Sequence, residues 1–397
     1  EDIWYCLTRD LLGSGTKKEG ESKQREEGAD GRPDLEEADS VVKLVNAIES
    51  FALCVGMPGA GKSSLLQMYL NPNKNDTPRP TVALEYMFAR RATTANAPKD
   101  IAHIWELGGG SHVSDLVRVP ITTARFRNAL YIIVVDLSKP SSVIPHLLHW
   151  TDQIKARAFD HACVKVCVRE LSKKDPTFAD NLKRKTYAKL GRDHPDLKTV
   201  KPCPVPLIII ANKYDIFKNQ ESGRRRALAQ ALRFVAHLNG ASLLFSSTKE
   251  KQLRDIFRLT LNKHMFQAAG RHALETNPER ALAVPAGSDK FEAILKTTPD
   301  GFRQSDFISG GGHGVTEGAM ESWKRAVLDA FGPPAPSDKL NLPQEEGEDG
   351  EASGGNGRVV NRFPEPTVDE CRAQRDTELQ RYRKETERKA KMDRRAS

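Results

Sequence analysis

One octapeptide constrains this chain more than any other feature: Gly56-Met57-Pro58-Gly59-Ala60-Gly61-Lys62-Ser63. It fits G-x-x-x-x-G-K-[ST] without a mismatch. The apolar run Phe51–Val55 before it predicts a buried strand, and Ser64–Tyr69 after it predicts the start of a helix, which is the context the motif requires. Glycines let the backbone turn so that successive N–H groups converge on one anion. The helix N-terminus adds partial positive charge at the same point. Gly56, Gly59, Gly61, Lys62, Ser63 and Ser64 are therefore the expected phosphate-binding set. Lys62 would reach the outer phosphates, and the Ser63 hydroxyl is the candidate ligand for Mg²⁺. The alternative is a glycine-rich turn that keeps the fold and binds nothing.

The remaining pattern is one of alternation. Thr81–Phe88 and Ile101–Leu107 have strand character. Leu130–Leu137 and Val205–Ala211 are apolar on both faces, as strands covered by helices are, and Ser242–Phe245 is a shorter example. Ile144, Leu147, Leu148 and Ile154 share a helical face, as do Leu228, Ala231, Leu232, Val235 and Leu238; Leu253–Phe266 predicts a further helix. This predicts an α/β fold with a doubly wound, mostly parallel sheet. Val41–Ser50 suits a short helix or an edge strand. The connection from Lys139 to Pro204 holds one helical pattern and the charged stretch Arg169–Lys201, an elaboration on the sheet. From about Gln267 the alternation stops.

A second motif names the base. Asn212-Lys213-Tyr214-Asp215 follows directly on a predicted strand and matches N-K-x-D, the guanine-reading element of GTP-binding proteins. An Asp215 carboxylate can accept hydrogen bonds from the N1–H and N2–H₂ of guanine, a donor pair that adenine lacks. Ser247-Thr248-Lys249 follows the next strand and resembles the S-A-K element that backs the base. The expected cofactor is GDP or GTP with Mg²⁺, in a pocket that can also stand empty.

The switch elements depart from this pattern. Ile104-Trp105-Glu106-Leu107-Gly108-Gly109-Gly110 resembles the W-D-x-G-G-Q segment of Arf-like and Rab-like GTPases. Glu106 stands where an aspartate normally holds the Mg²⁺ water shell, which changes the geometry. Gly109 belongs to the glycine pair. Gly110 stands where a glutamine orients the attacking water, and glycine has no side chain to do so. Pro80-Thr81 resembles the γ-phosphate-sensing threonine, or is a threonine at a strand start. Slow or absent hydrolysis follows; the alternative is a working GTP-hydrolysing switch in which another group supplies the water contact.

Composition narrows the field. Lys and Arg exceed Asp and Glu by 61 to 53, and no stripe of aromatics interleaved with Arg or Lys accompanies this mild excess, so a nucleic-acid binder has little support. The longest apolar runs fall far short of the roughly 20 residues of a membrane span. Six scattered cysteines fit a reducing compartment. Cys54, and Cys163 with Cys167, read as buried structural residues rather than zinc ligands, since no second ligand pair follows at zinc spacing. The Arg224-Arg225-Arg226 triplet reads as a solvated helix start.

Three segments carry a family resemblance: Pro80–Gly110, Val205–Phe217 and Arg233–Ser247 resemble the light intermediate chains of cytoplasmic dynein-2, the retrograde motor of intraflagellar transport. Val368–Glu385 is similar to that family's end. The resemblance implies a Ras-like G domain that packs on the dynein heavy-chain tail and stabilises it, without motor chemistry or enzymatic activity. It implies the other dynein-2 subunits and intraflagellar transport trains as further partners, and the cytoplasm, the cilium or flagellum and the cytoskeleton as location. The expected division is an N-terminal segment 1–40 with a disordered insertion at Gly13–Ser40, a Ras-like G domain over 41–265, and an irregular extension over 266–365. The extension ends in the acidic, glycine-rich linker Glu345–Gly357, and a charged helix over 366–397 follows. Val368, Leu379 and Tyr382 lie along one side of that helix and are its expected heavy-chain anchors.

Overall fold

The computed structural model describes residues 47–73, 76–92, 99–109, 113, 116–117, 119–120, 122–160, 163–191, 193–270, 274–295 and 313–335, with scattered positions between 370 and 384. The expected insertion at 13–40 and the linker at 345–357 lie outside these residues. In chain order the elements are β1 (Glu49–Gly56), α1 (Lys62–Leu70), β2 (Leu84–Arg91), β3 (Asp100–Leu107), β4 (Ala129–Asp136), α2 (Pro140–Asp160), α3 (Cys163–Lys174) and α4 (Phe178–Ala188). They continue with β5 (Leu207–Asn212), the single turn α5 (Tyr214–Phe217), α6 (Ser222–Leu238), β6 (Ser242–Phe245), α7 (Lys251–Phe266), β7 (Ala283–Val284), α8 (Phe291–Leu295) and α9 (His313–Phe331).

The seven strands form one sheet in the order β2-β3-β1-β4-β5-β6-β7. The five inner strands run parallel, and both end strands are antiparallel to their neighbours. Parallel neighbours need crossovers, so helices cover both faces, and β4 and β5 are buried at every residue. β2 alternates between half-buried and exposed, as an edge strand does, and leaves Tyr86 and Phe88 exposed. Helix α7 packs on β1 and β3, and α2 on β4 and β1.

Three sequence expectations need correction. The strand expected over 81–88 begins at Leu84 and runs to Arg91, because Gly108 lies against the Thr81 and Val82 carbonyls and the ladder starts only at Leu84. The connection 139–204 contains three helices rather than one. Beyond residue 265 the chain is not uniformly irregular. β7 pairs with β6, and α9 packs on α6 and α2. Phe234 of α6 lies 5.3 Å from the Phe291 ring and 6.4 Å from the Trp323 ring. Two residues of strand and one of five residues of helix are too short to leave a periodic signal.

In the second compact unit, 343–397, the described positions 370, 374–375, 377–379, 381–382 and 384 are helical. Leu379 and Tyr382 are exposed there, and Val368 lies outside the described residues.

Candidate nucleotide site

The phosphate loop leaves the central strand β1 and enters α1. Gly56, Gly59 and Gly61 all take positive φ. At Gly56 no other residue fits, since a Cβ would stand 1.9 Å from the Val134 carbonyl oxygen of β4. Lys62 is only 5% exposed, and its Nζ donates to the carbonyls of Met57 at 3.1 Å and Gly56 at 3.4 Å. Burial pushes the Lys62 pKa down, against the pull of Cys54 and Glu106. Ser64 is half-buried on the first turn of α1.

Ser63 and Glu106 meet. The Ser63 hydroxyl donates to Glu106 Oε1 at 2.7 Å, while Glu106 Oε2 is buried without a hydrogen-bond partner. Burial raises the Glu106 pKa; the Ser63 hydrogen bond and the Lys62 charge oppose that. Both residues line a cavity of about 590 Å³ with Asp76, Thr77, Arg79 and Glu85. A buried carboxylate oxygen without a donor, beside a hydroxyl, suits a hydrated cation, so the residues fit Mg²⁺.

The switch-like segments close on the loop. The Gly108 N–H donates to the Ala83 carbonyl at 2.6 Å. A Cβ on Gly109 would stand 2.5 Å from Pro58 Cα, so the loop and β3 end are in backbone contact. The Thr81 hydroxyl donates to Glu85 at 3.0 Å. Gly110 lies outside the described residues.

The base-reading residues come together at the ends of β5 and β6. Buried Asn212 donates from Nδ2 to the Ala60 carbonyl at 2.8 Å, which latches the base loop to the phosphate loop. Lys213 takes φ 66° and places Nζ 2.5 Å from Asp136 Oδ2. Asp215 accepts from the Ser247 hydroxyl at 2.7 Å and pairs with Lys249 at 2.8 Å. Burial works to raise its pKa, but Lys249 and Ser247 outweigh this and hold it below the usual carboxylate range. Thr248 sits between them, its carbonyl accepting from Arg254 at 3.4 Å.

Sequence reading missed Asp136. It ends the apolar strand β4, where its Oδ1 accepts from the Ser138 N–H and hydroxyl while Oδ2 holds Lys213. A charged residue closing a fully buried strand was the available signal.

The arrangement agrees with what is similar to this chain. A family model described as Ras of Complex, Roc, domain of DAPkinase matches residues 52–172. Cytoplasmic dynein 2 light intermediate chain 1 of Homo sapiens is 33% identical over 336 residues, 85% of this chain and 88% of that relative. The Danio rerio protein of the same name is 33% identical over 83% of this chain and 84% of its own length. The chain belongs to the cytoplasmic dynein 2 light intermediate chain family. Cytoplasmic dynein 1 light intermediate chain 1 of Rattus norvegicus is more distant, 20% identical over 61% of this chain and 50% of its own. A solved structure titled "Crystal Structure of the Dynein Light Intermediate Chain's Conserved Domain" covers 76% of this chain at 15% identity, with a TM-score of 0.48. For this light intermediate chain the fold is that of a Ras-like G domain, and its departure at Glu106 sits at the switch end. Among the described residues no helix is long and apolar enough to cross a membrane.

Proposed function

We propose that this chain is a non-catalytic subunit of the dynein-2 complex that binds and stabilises the heavy-chain tail for retrograde intraflagellar transport. The observation that carries the reading is the 33% identity to human cytoplasmic dynein 2 light intermediate chain 1 over 88% of that protein. The heavy chain's own modules would supply force. The subunit would work in the cytoplasm and cilium, on the cytoskeleton, with the other dynein-2 subunits and transport trains as neighbours and neither nucleic acid nor a lipid bilayer as partner.

In this proposal the G domain holds GDP or GTP as a structural cofactor. The backbone of Gly59–Ser63 and Lys62 would hold the phosphates, Ser63 with Glu106 the hydrated Mg²⁺, and Asp215 the guanine edge, with Ser247, Thr248 and Lys249 behind it. Bound nucleotide supplies stability, about 2.7 kcal/mol at a hundredfold excess over Kd. Residues 366–397, through Val368, Leu379 and Tyr382, would lie along a heavy-chain helix. Both anchors that are described are exposed, as a docking residue without its partner must be.

The test is capture of the full chain from ciliary extract, beside a chain lacking 366–397, with chromatography of released nucleotide. Recovery of the dynein-2 heavy chain by the full chain, reduced by the truncation, supports the proposal. Equal recovery by both removes the C-terminal helix from it, and recovery of no dynein removes the whole.

The second reading, a GTP-hydrolysing switch, would share the base-reading cluster around Asp215 but would need a water-positioning group that Gly110 does not supply. Single-turnover hydrolysis at the rate of regulated GTPases would establish it.

A further inference from the structure

Away from the nucleotide site, three side chains from two distant stretches of sequence converge. His194 and Asp196 lie on the connection between α4 and β5, and His237 is in the last turn of α6. Their ligand atoms all lie within 4.8 Å of one another. The side chains are 6%, 13% and 1% exposed. Nothing in the G-domain reading uses them.

The hydrogen bonds fix which atoms face inward. His194 Nε2 lies 2.9 Å from the Asp289 carbonyl, which can only accept, so Nε2 carries the hydrogen. That leaves the Nδ1 lone pair toward Asp196, 3.2 Å from its N–H and 3.9 Å from Oδ2. His237 Nε2 stands 2.9 Å from the same Oδ2, which also accepts from the Phe291 N–H at 2.9 Å. The Phe291 ring packs edge-on to His237 at 4.6 Å and keeps that side apolar. Asp289 is in turn gripped by both ends of the buried Arg233 guanidinium, at 2.6 and 2.7 Å. An imidazole whose outer N–H is anchored on a carbonyl turns its inner nitrogen inward as an acceptor, the usual arrangement behind a metal-bound histidine, and an ion here would displace the Asp196 N–H that this nitrogen now accepts.

We propose that His194 Nδ1, His237 Nε2 and Asp196 form a site for a zinc-class divalent ion. Donors at about 2.0–2.1 Å from a tetrahedral zinc stand about 3.3 Å apart, and the contacts of 2.9 and 3.9 Å straddle that spacing. Two imidazoles with one carboxylate select a transition metal over Mg²⁺ or Ca²⁺, which take oxygen donors. On binding, two nitrogens and one oxygen enter as five of the six waters of the hydrated ion leave, and one water keeps the fourth position. The hydrogen on His237 Nε2 moves to Nδ1 or to solvent. Because the ligands come from the long connection and from α6, and their support from the segment opening α8, an ion here would fasten both additions to the sheet body.

The experiment uses the full purified chain, stripped with EDTA and titrated with Zn²⁺ against a chromophoric chelator, with the thermal midpoint followed in parallel. One zinc per chain and a midpoint rise of about 3–5 °C are expected. His194→Gln keeps a donor for the Asp289 carbonyl but lacks Nδ1, and should weaken zinc about 100-fold while the metal-free midpoint holds. Asp196→Asn, which still accepts from His237, should do likewise. Should either variant not fold, Co²⁺ titration of the unmodified chain decides: intense tetrahedral visible bands support the site, and pale octahedral ones overturn it. No zinc uptake at tens of micromolar, or equal uptake by the unmodified chain and both variants, also overturns it.

Discussion

The two ends of the nucleotide site have been treated differently. At the base end Asn212, Lys213, Asp215, Ser247 and Lys249 each have a partner that holds them in place, as the proposed reading of guanine requires. At the phosphate end Lys62 is folded onto its own loop, Glu106 replaces aspartate, and Gly109 lies against Pro58. Recognition and turnover need different things. Recognition needs donors and acceptors held in place, and turnover needs a water positioned and charge stabilised as it develops. The contrast favours a domain that holds a nucleotide for the sake of its own structure.

The comparison can be broken by experiment, and the largest effect should come from the base end. Asp215→Ala removes two charge-assisted hydrogen bonds to guanine and should weaken fluorescent GDP binding by about 100-fold, or about 2.7 kcal/mol. Lys62→Ala in the same titration should cost only about tenfold. A larger loss at Lys62 than at Asp215 would invert the contrast. Next is Gly109→Ala, whose methyl would collide with Pro58 backbone; it should lower stability by about 1–3 kcal/mol in thermal unfolding without nucleotide. An unchanged midpoint would show that the switch segment is free to move away from the loop. The smallest effect concerns pH. Asp215 has its pKa lowered, so its contribution is present above the ordinary carboxylate range and lost only as pH falls through the depressed value. Guanine affinity should therefore change less than about twofold between pH 7.5 and 5.5. A marked loss near pH 5 would mean that Lys249 does not hold the carboxylate.

Much of this was legible in the residues. The phosphate loop predicted its own strand and helix, because only glycine tolerates the approach of Val134 at Gly56. β4 and β5 announced themselves as continuous apolar runs because both faces are covered. What could not be read was whatever depends on long-range pairing. β7 has two residues, and its place beside β6 is decided by hydrogen bonds to a strand about 40 residues earlier. The cluster of His194, Asp196 and His237 is equally silent, since 41 residues separate its halves. In the candidate site, residue types gave the parts, but only geometry shows that Lys62 bonds its own loop and that Thr81 turns to Glu85.

The packing of α9 on α6 has a consequence during synthesis. A ribosome releases the chain from its N-terminus, and everything through α7 can emerge and collapse while α9 is still unmade. Between the ends of α7 at Phe266 and α9 at Phe331, elongation at about 5–20 residues per second occupies roughly 3–13 s. Through that interval Phe234 lacks the cover of Trp323, and the nascent domain presents an apolar flank to whatever surrounds it. Helix α9 acts as a closing seal, and a nascent chain stalled short of it would be a natural client for chaperones.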